Sequence, residues 1–273
     1  MLKHRLLTAI ILIPLVIWLL SLSSLILAIA MGIIVTIGAW EWAAICGWQH
    51  LLARSFYCFA IGLGLLGAYW FWQQTIMSYI LMATCLWWLV AFYWVIRYQQ
   101  GYKLLPKAHF IKALLGFFIL IPTWIALLVL HKHEVYGWHF VVFLLVLIWS
   151  ADSGAYFAGR RWGKTKLANQ ISPKKTWEGV GGALLLSSFI ALGYVWLNSM
   201  PLMTASLFLL LSLITVVVSI LGDLFESLFK RQMDIKDSGQ ILPGHGGILD
   251  RIDSLTAAAP IFVTGLIFLG KIF

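Results

Sequence analysis

Leu202-Met-Thr-Ala-Ser-Leu-Phe-Leu-Leu-Leu-Ser-Leu-Ile-Thr-Val-Val-Val-Ser-Ile-Leu-Gly222 carries no charge, and at the next residue the character reverses into Asp223-Leu-Phe-Glu226-Ser227-Leu-Phe-Lys230-Arg231. An apolar run of roughly 17 to 25 residues is long enough to cross the hydrocarbon core, and a helix satisfies its own backbone there. Similar windows lie near 6–20, 24–43, 55–72, 76–96, 113–130, 138–157, 178–197 and 256–270. The expected fold class is therefore all-α, a polytopic integral membrane helical bundle of about nine transmembrane helices.

Composition agrees. At 62% hydrophobic, 11% charged and a mean hydropathy of +0.95, no globular surface could keep this much apolar area from water. Met1-Leu-Lys3-His4-Arg5 followed by Leu6 to Leu20 imitates a secretory signal, but no small-residue cleavage site follows, so an uncleaved first span is expected. Cys46, Cys58 and Cys85 have neither an even count nor CxxC spacing and read as packing residues.

The net charge of +9 raises nucleic acid as a partner, and its placement argues against one. With the N-terminus in the cytoplasm, 17 of the 19 Lys and Arg residues fall in cytoplasmic segments, leaving only Lys132 and Lys271 outside. That asymmetry follows the positive-inside rule, and a basic face beside the membrane attracts anionic head groups.

The first hundred residues offer little chemistry. Glu41, between Trp40 and Trp42, reads as a carboxylate at head-group level, and Trp70, Trp72, Trp87, Trp88 and Trp94 as interfacial anchors. His131-Lys-His133-Glu134 reads as a solvated external turn rather than a metal site.

From Trp149 onward, charge enters apolar surroundings. Asp152 in Asp152-Ser153-Gly154-Ala155-Tyr156 needs a cation, a metal or hydrogen bonds to stay ionised near the end of a span. In Ser172-Pro173-Lys174-Lys175-Thr176-Trp177-Glu178-Gly179, paired lysines and a hydroxyl precede a helix start, a ready anion site. Gly179, Gly181 and Gly182 are expected to let that helix pack closely on a neighbour.

The segment from Asp223 to Asp253 holds six of the ten acidic residues. Asp223 and Glu226 are three apart, as are Asp250 and Asp253, so each pair shares a face if helical. Four such carboxylates make sense around divalent cations, Mg²⁺ by donor type; the alternative is salt bridges with Lys230, Arg231 and Arg251, which contribute little at a surface. Gly244, Gly246 and Gly247 around His245 imply a tight turn or a close approach to a ligand. Carboxylates, lysines and glycine-rich backbone together point to phosphoryl or nucleotidyl transfer, with a lipid as one substrate.

These residues resemble the signature of the phosphatidate cytidylyltransferase, or CDP-diacylglycerol synthase, family: Ser227-Leu-Phe-Lys230-Arg231, Lys236-Asp237-Ser238-Gly239, Leu242-Pro243-Gly244-His245-Gly246-Gly247 and Leu249-Asp250-Arg251-Ile252-Asp253. The Asp152 and Ser172 segments resemble it too, whereas residues 1–145 agree only in hydropathy and length. The resemblance implies transfer of cytidylyl from CTP to phosphatidate in the inner membrane, with Mg²⁺ and a homodimeric assembly. It implies a scaffold over residues 1–112 and a catalytic region over 113–273, with cytoplasmic loops at 158–177 and 223–255.

Under it, Asp223 and Asp250 are the leading metal ligands, followed by Asp253, Glu226 and Asp152. Lys174 and Lys175, with Ser172 and Thr176, would meet the triphosphate or leaving pyrophosphate, and Lys230 and Arg231 the phosphatidate head group. His245 would position phosphate or metal, and Lys236, Asp237, Gly246, Gly247 and Arg251 would line the substrate site. Two other classes stay open: a transporter with broken helices in both halves, and a CTP-using lipid-alcohol kinase.

Overall fold

The computed structural model describes residues 14, 16–102, 105–133, 137–241 and 246–270. Within them lie eight helices long and apolar enough to cross a membrane. They are α1 (Ser24–Ile45), α2 (Leu51–Trp70), α3 (Gln74–Gln99), α4 (His109–Lys132), α5 (Gly137–Trp162), α6 (Trp177–Leu197), α7 (Leu202–Gln232) and α8 (Leu249–Phe268). The expected span at 6–20 falls largely outside the described residues; the other eight windows each have their helix. No span is broken into half-helices among the described residues, Pro122 and Pro260 being accommodated inside continuous α4 and α8. That removes the feature a transporter ion site would need.

Local chemistry sets several boundaries. Ser23 caps α1, its hydroxyl accepting from Ile26 N at 3.4 Å, and Thr176 caps α6, accepting from Gly179 N at 3.2 Å. Each hydroxyl satisfies an N–H that has no carbonyl four residues back. Pro201 precedes α7, where a missing N–H costs nothing. Between α5 and α6, where a loop was expected, the chain forms an antiparallel ribbon of β1 (Lys166–Ala168) and β2 (Ser172–Thr176), with Lys166 opposite Thr176 and Ala168 opposite Ser172. Pro173 has no N–H to give, and the ribbon tolerates it because neither strand lies inside a wider sheet.

α4 and α8 occupy the middle of the bundle, whereas α2 buries only Tyr57, Ile61 and Leu65, and α6 only Gly179, Ala183, Ser187 and Ala191. In lipid the outward faces have no reason to be polar, so the hydropathy of these helices does not follow their burial. Small residues bring α5 and α6 together: a Cβ on Gly182 would collide with Ala158 and the Gly154 carbonyl. Gly181, by contrast, faces open space, so of the glycines expected to mediate packing it alone does not.

Several tryptophans expected at the interface are in the core. Trp42 and Trp88 are each 2% exposed; Trp42 packs on Phe229 at 5.3 Å between ring centres and Trp88 on Phe225 at 5.6 Å. Trp87 packs on Trp94 and Phe225, while Trp70 is fully outward and Trp72 receives the Lys132 ammonium at 3.9 Å. Aromatic rings pair with one another wherever helix crossings leave room. His131 is structural, one ring nitrogen 2.9 Å from Ser24 Oγ and the other 2.8 Å from Leu20 O. The three cysteines are free, and burial pushes the Cys46 thiol up to about 12.

Candidate active site at the charged end of the bundle

α7 does not stop at Gly222. Its last ten residues, 223–232, stay helical and carry the chain about 15 Å further at 1.5 Å per residue. Spacings of three and four place Asp223, Glu226 and Lys230 on one side of that extension, and α8 starts early enough that Asp250 and Asp253 are helical too. The expected 223–255 loop is thus shorter than the charge pattern suggested, because its charged ends are held in helix by buried pairing.

The pairing is ionic. Lys230 Nζ lies 2.6 Å from Asp250 Oδ1 and 3.0 Å from Glu226 Oε1, with all three side chains at most 8% exposed. Asp250 Oδ2 accepts the backbone N–H groups of Gly247 at 2.8 Å and Ser238 at 2.9 Å. Asp250 therefore ties Ser238 and Gly247 to Lys230 of α7. Glu226 contacts Lys230 without hydrogen-bond geometry, and its Oε2 is buried with no hydrogen-bond partner among the described residues. Asp253, one helical turn beyond Asp250, is near enough to Asp223 and Glu226 for their charges to interact, and its Oδ1 accepts Ser254 N at 2.7 Å. These are not the weak surface bridges considered from sequence: a buried pair costs desolvation, and removing one member strands a charge.

Beside this cluster opens a cleft of about 310 Å³ whose lining includes Asp152 and Tyr156 of α5, Ser172, Lys174, Lys175 and Thr176 of β2, and Asp223 of α7. Lys175 Nζ lies 2.6 Å from Asp223 Oδ2, and Ser227 Oγ donates to Asp223 Oδ1 at 3.2 Å. Asp152 is exposed to the cleft and near enough to Asp223, Lys175 and Arg251 for their charges to interact. The ribbon holds its lysines in place from behind: Lys166 Nζ donates to Pro173 O at 2.7 Å, and Arg231 Nε to Ile171 O at 3.0 Å.

Asp152, Asp223, Glu226, Asp250 and Asp253 thus converge with Lys175 and Lys230, while Ser172, Lys174 and Thr176 join them through the cleft. Lys230, expected to meet a head group, is instead enclosed by two carboxylates. Arg231 has its Nε on the ribbon carbonyl, and Lys236, Asp237 and Arg251 stand exposed around the rim. Gly246 turns the chain at φ +80° beside Asp250. His245 and Gly244 lie outside the described residues.

Glu41 is the residue that sequence reasoning misplaced. Far from sitting at head-group level, it is 1% exposed and accepts three hydrogen bonds: from Ser238 Oγ at 2.8 Å, Leu249 N at 2.7 Å and Ile248 N at 3.0 Å. A carboxylate beside a tryptophan as buried as Trp42 would be the signal, but burial of that tryptophan is itself a tertiary fact.

The donor set suits a hard cation. Carboxylate oxygens match Mg²⁺, which keeps several waters and is usually held by one or two protein carboxylates plus substrate phosphates. Among the described residues no three His, Cys, Asp or Glu side chains are grouped closely enough to form an all-protein metal cage. One or two of the converging carboxylates, with the buried and unpartnered Glu226 Oε2 among their oxygens, fit the partial kind of site.

Fold and site define a polytopic membrane protein with a carboxylate and lysine cleft at one end of its bundle, suited to phosphate chemistry. The chain belongs to the cytidylyltransferase family, whose sequence profile matches residues 3–269. It is 38% identical to the phosphatidate cytidylyltransferase of Haemophilus influenzae, over 96% of this chain and 97% of that protein. It is 39% identical to that of Pseudomonas aeruginosa, over 96% of each, and 42% identical to that of Bacillus subtilis over 58% of this chain.

Proposed function

We propose that this enzyme transfers the cytidylyl group of CTP to phosphatidate, giving CDP-diacylglycerol and pyrophosphate for phospholipid synthesis. The observation that carries the reading is a shared wall. Leu167, Val180 and Ile220 line both the charged cleft and an apolar groove of about 320 Å³ that runs between α3, α6 and α7 past Trp88, Leu89 and Phe92. A ligand with a phosphate at one end and a hydrocarbon chain at the other could occupy both, as phosphatidate would and CTP alone would not.

The chemistry asks little of a base. A phosphomonoester has a second pKa near ~6, so phosphatidate is already largely dianionic. One of its oxygens attacks the α-phosphorus of CTP, the bond to the β-phosphate breaks, and pyrophosphate leaves. The obstacle is bringing two anions together. Lys174 and Lys175 sit where a triphosphate or the departing pyrophosphate would rest, and the ribbon behind them keeps their charges forward. Asp223 and Asp250, backed by Asp253, Glu226 and Asp152, are the residues that would hold Mg²⁺. When bound, the ion supplies positive charge to the transferring phosphate. Lys230 keeps Asp250 and Glu226 in register across the α7–α8 junction.

The active site is placed on the cytoplasmic side of the inner membrane, where the basic segments gather and CTP is available, and the enzyme is read as a homodimer. The test uses purified protein in detergent micelles with phosphatidate and α-labelled CTP. Labelled CDP-diacylglycerol is the expected product; label released as CDP, with phosphate appearing on a lipid alcohol, would replace this reading with a lipid kinase.

A further inference from the structure

Glu41 belongs to α1, nearly two hundred residues upstream of the loop it touches, yet both ends of that loop are fastened to its one carboxylate. Oε2 accepts Ser238 Oγ at 2.8 Å and Leu249 N at 2.7 Å, and Oε1 accepts Ile248 N at 3.0 Å. Ser238 is also the residue whose N–H donates to Asp250 Oδ2, and Leu249 immediately precedes Asp250. Both partners of Oε2 are thus one residue or one hydrogen bond from Asp250, and the partner of Oε1 is two residues from it.

The surroundings are shaped to admit it. A Cβ on Gly239 or on Gly247 would run into the Glu41 carboxylate, so these two glycines leave the space that it fills. A helix cap alone would not call for this arrangement. A Ser, Thr, Asn or Asp just ahead of α8 could cap it locally, but Ile248 stands there with no side-chain cap, and the acceptor comes from another helix. Charge-assisted bonds to three donors hold a loop more firmly than neutral ones do.

We propose that Glu41 is a positioning residue for cytidylyl transfer: by fastening Ser238, Ile248 and Leu249 it sets where Asp250 stands. The inference rests on the reading of Asp250 as an active-site carboxylate. It differs from a packing role in what it moves. Position governs turnover, since a small misplacement of a reacting group costs rate out of proportion to the disturbance.

The experiment compares the parent, Glu41→Gln, Glu41→Asp and Ser238→Ala as full-length protein in micelles, assayed with phosphatidate and CTP and normalised to folded protein. Glu41→Gln keeps the shape but turns an NH₂ toward an N–H donor. Its kcat is expected to fall at least tenfold with the KM for CTP within threefold of the parent, and Glu41→Asp to recover part of that kcat. Ser238→Ala, which removes one of the three bonds, is expected to lose severalfold in kcat and to add nothing when combined with Glu41→Gln, as partners in one contact should. Parental kcat in folded Glu41→Gln, accompanied only by a lower unfolding temperature, would overturn the proposal. If Glu41→Gln does not fold, Ser238→Ala decides: parental kcat overturns the proposal and a severalfold loss upholds it. An inactive parent would instead count against the cytidylyltransferase reading itself.

Discussion

The Lys230 ammonium stands 2.6 Å from Asp250 Oδ1, an ion pair between the end of α7 and the first turn of α8 with both side chains 8% exposed. Removing one member of a buried pair costs about 3–5 kcal/mol, mostly because the other charge is left without compensation. Lys230→Met is therefore expected to lower the unfolding temperature in micelles markedly and to abolish product formation. An unchanged unfolding temperature would mean that the pair is solvated and not the clasp it looks to be.

Asp250→Asn separates charge from shape. The amide keeps the volume and one acceptor for the Ser238 and Gly247 N–H groups, and Lys230 retains Glu226. The variant should fold, with a smaller stability loss than Lys230→Met, while CDP-diacylglycerol synthesis falls at least a hundredfold. Substantial turnover in the folded variant would remove Asp250 from the proposed metal ligands.

Lys175 and Asp223 form a pair of a different kind, with side chains 25% and 30% exposed at the cleft. Such a pair contributes roughly 0–1 kcal/mol, so Lys175→Ala should leave the unfolding temperature nearly unchanged. Its kcat/KM for CTP should nevertheless fall ten- to a hundredfold, measured by varying CTP at saturating phosphatidate. A loss in stability without a loss in kcat/KM would place Lys175 outside the substrate site.

Chelation should act on chemistry alone. If Mg²⁺ is held by one or two carboxylates and completed by phosphates, EDTA should stop turnover, added Mg²⁺ should restore it, and the unfolding temperature of the substrate-free protein should hardly respond. Turnover that persists in EDTA would exclude the metal requirement.

Two neighbouring glycines of α6 give opposite expectations. Gly182→Val drives a side chain into Ala158 and the Gly154 carbonyl, an overpacking that typically costs about 1–3 kcal/mol, and it should also impair activity because Asp152 lies two residues before Gly154 on α5. Gly181→Ala meets nothing within 4 Å and exchanges glycine for a better helix former, a change worth about 0.5–1 kcal/mol of added stability. Thermal unfolding of the two variants side by side checks both.

Much of this was legible from residues 202–231 outward. The length of the apolar runs dictates helices because lipid offers no other partner for backbone N–H and C=O groups, and the abrupt appearance of Asp223, Glu226, Lys230, Asp250 and Asp253 marks where the chemistry lies. Boundaries were less legible. Hydropathy ends α7 at Gly222, but the helix continues to Gln232 because Glu226 and Lys230 are enclosed and paired, a stabilisation that no window average contains.

The sequence by itself determined the class of fold, the end of the bundle where charge collects and the family resemblance, since all three rest on local composition and contiguous motifs. The tertiary structure alone decided which carboxylate meets which lysine, that Trp42 and Trp88 are core residues, and that Glu41 reaches the loop before α8. The physical reason is that in a membrane protein lipid-facing and buried positions are equally apolar, so hydropathy cannot report which face of a helix is enclosed. An isolated charge such as Glu41 then reveals its partners only when helices distant in sequence are brought side by side.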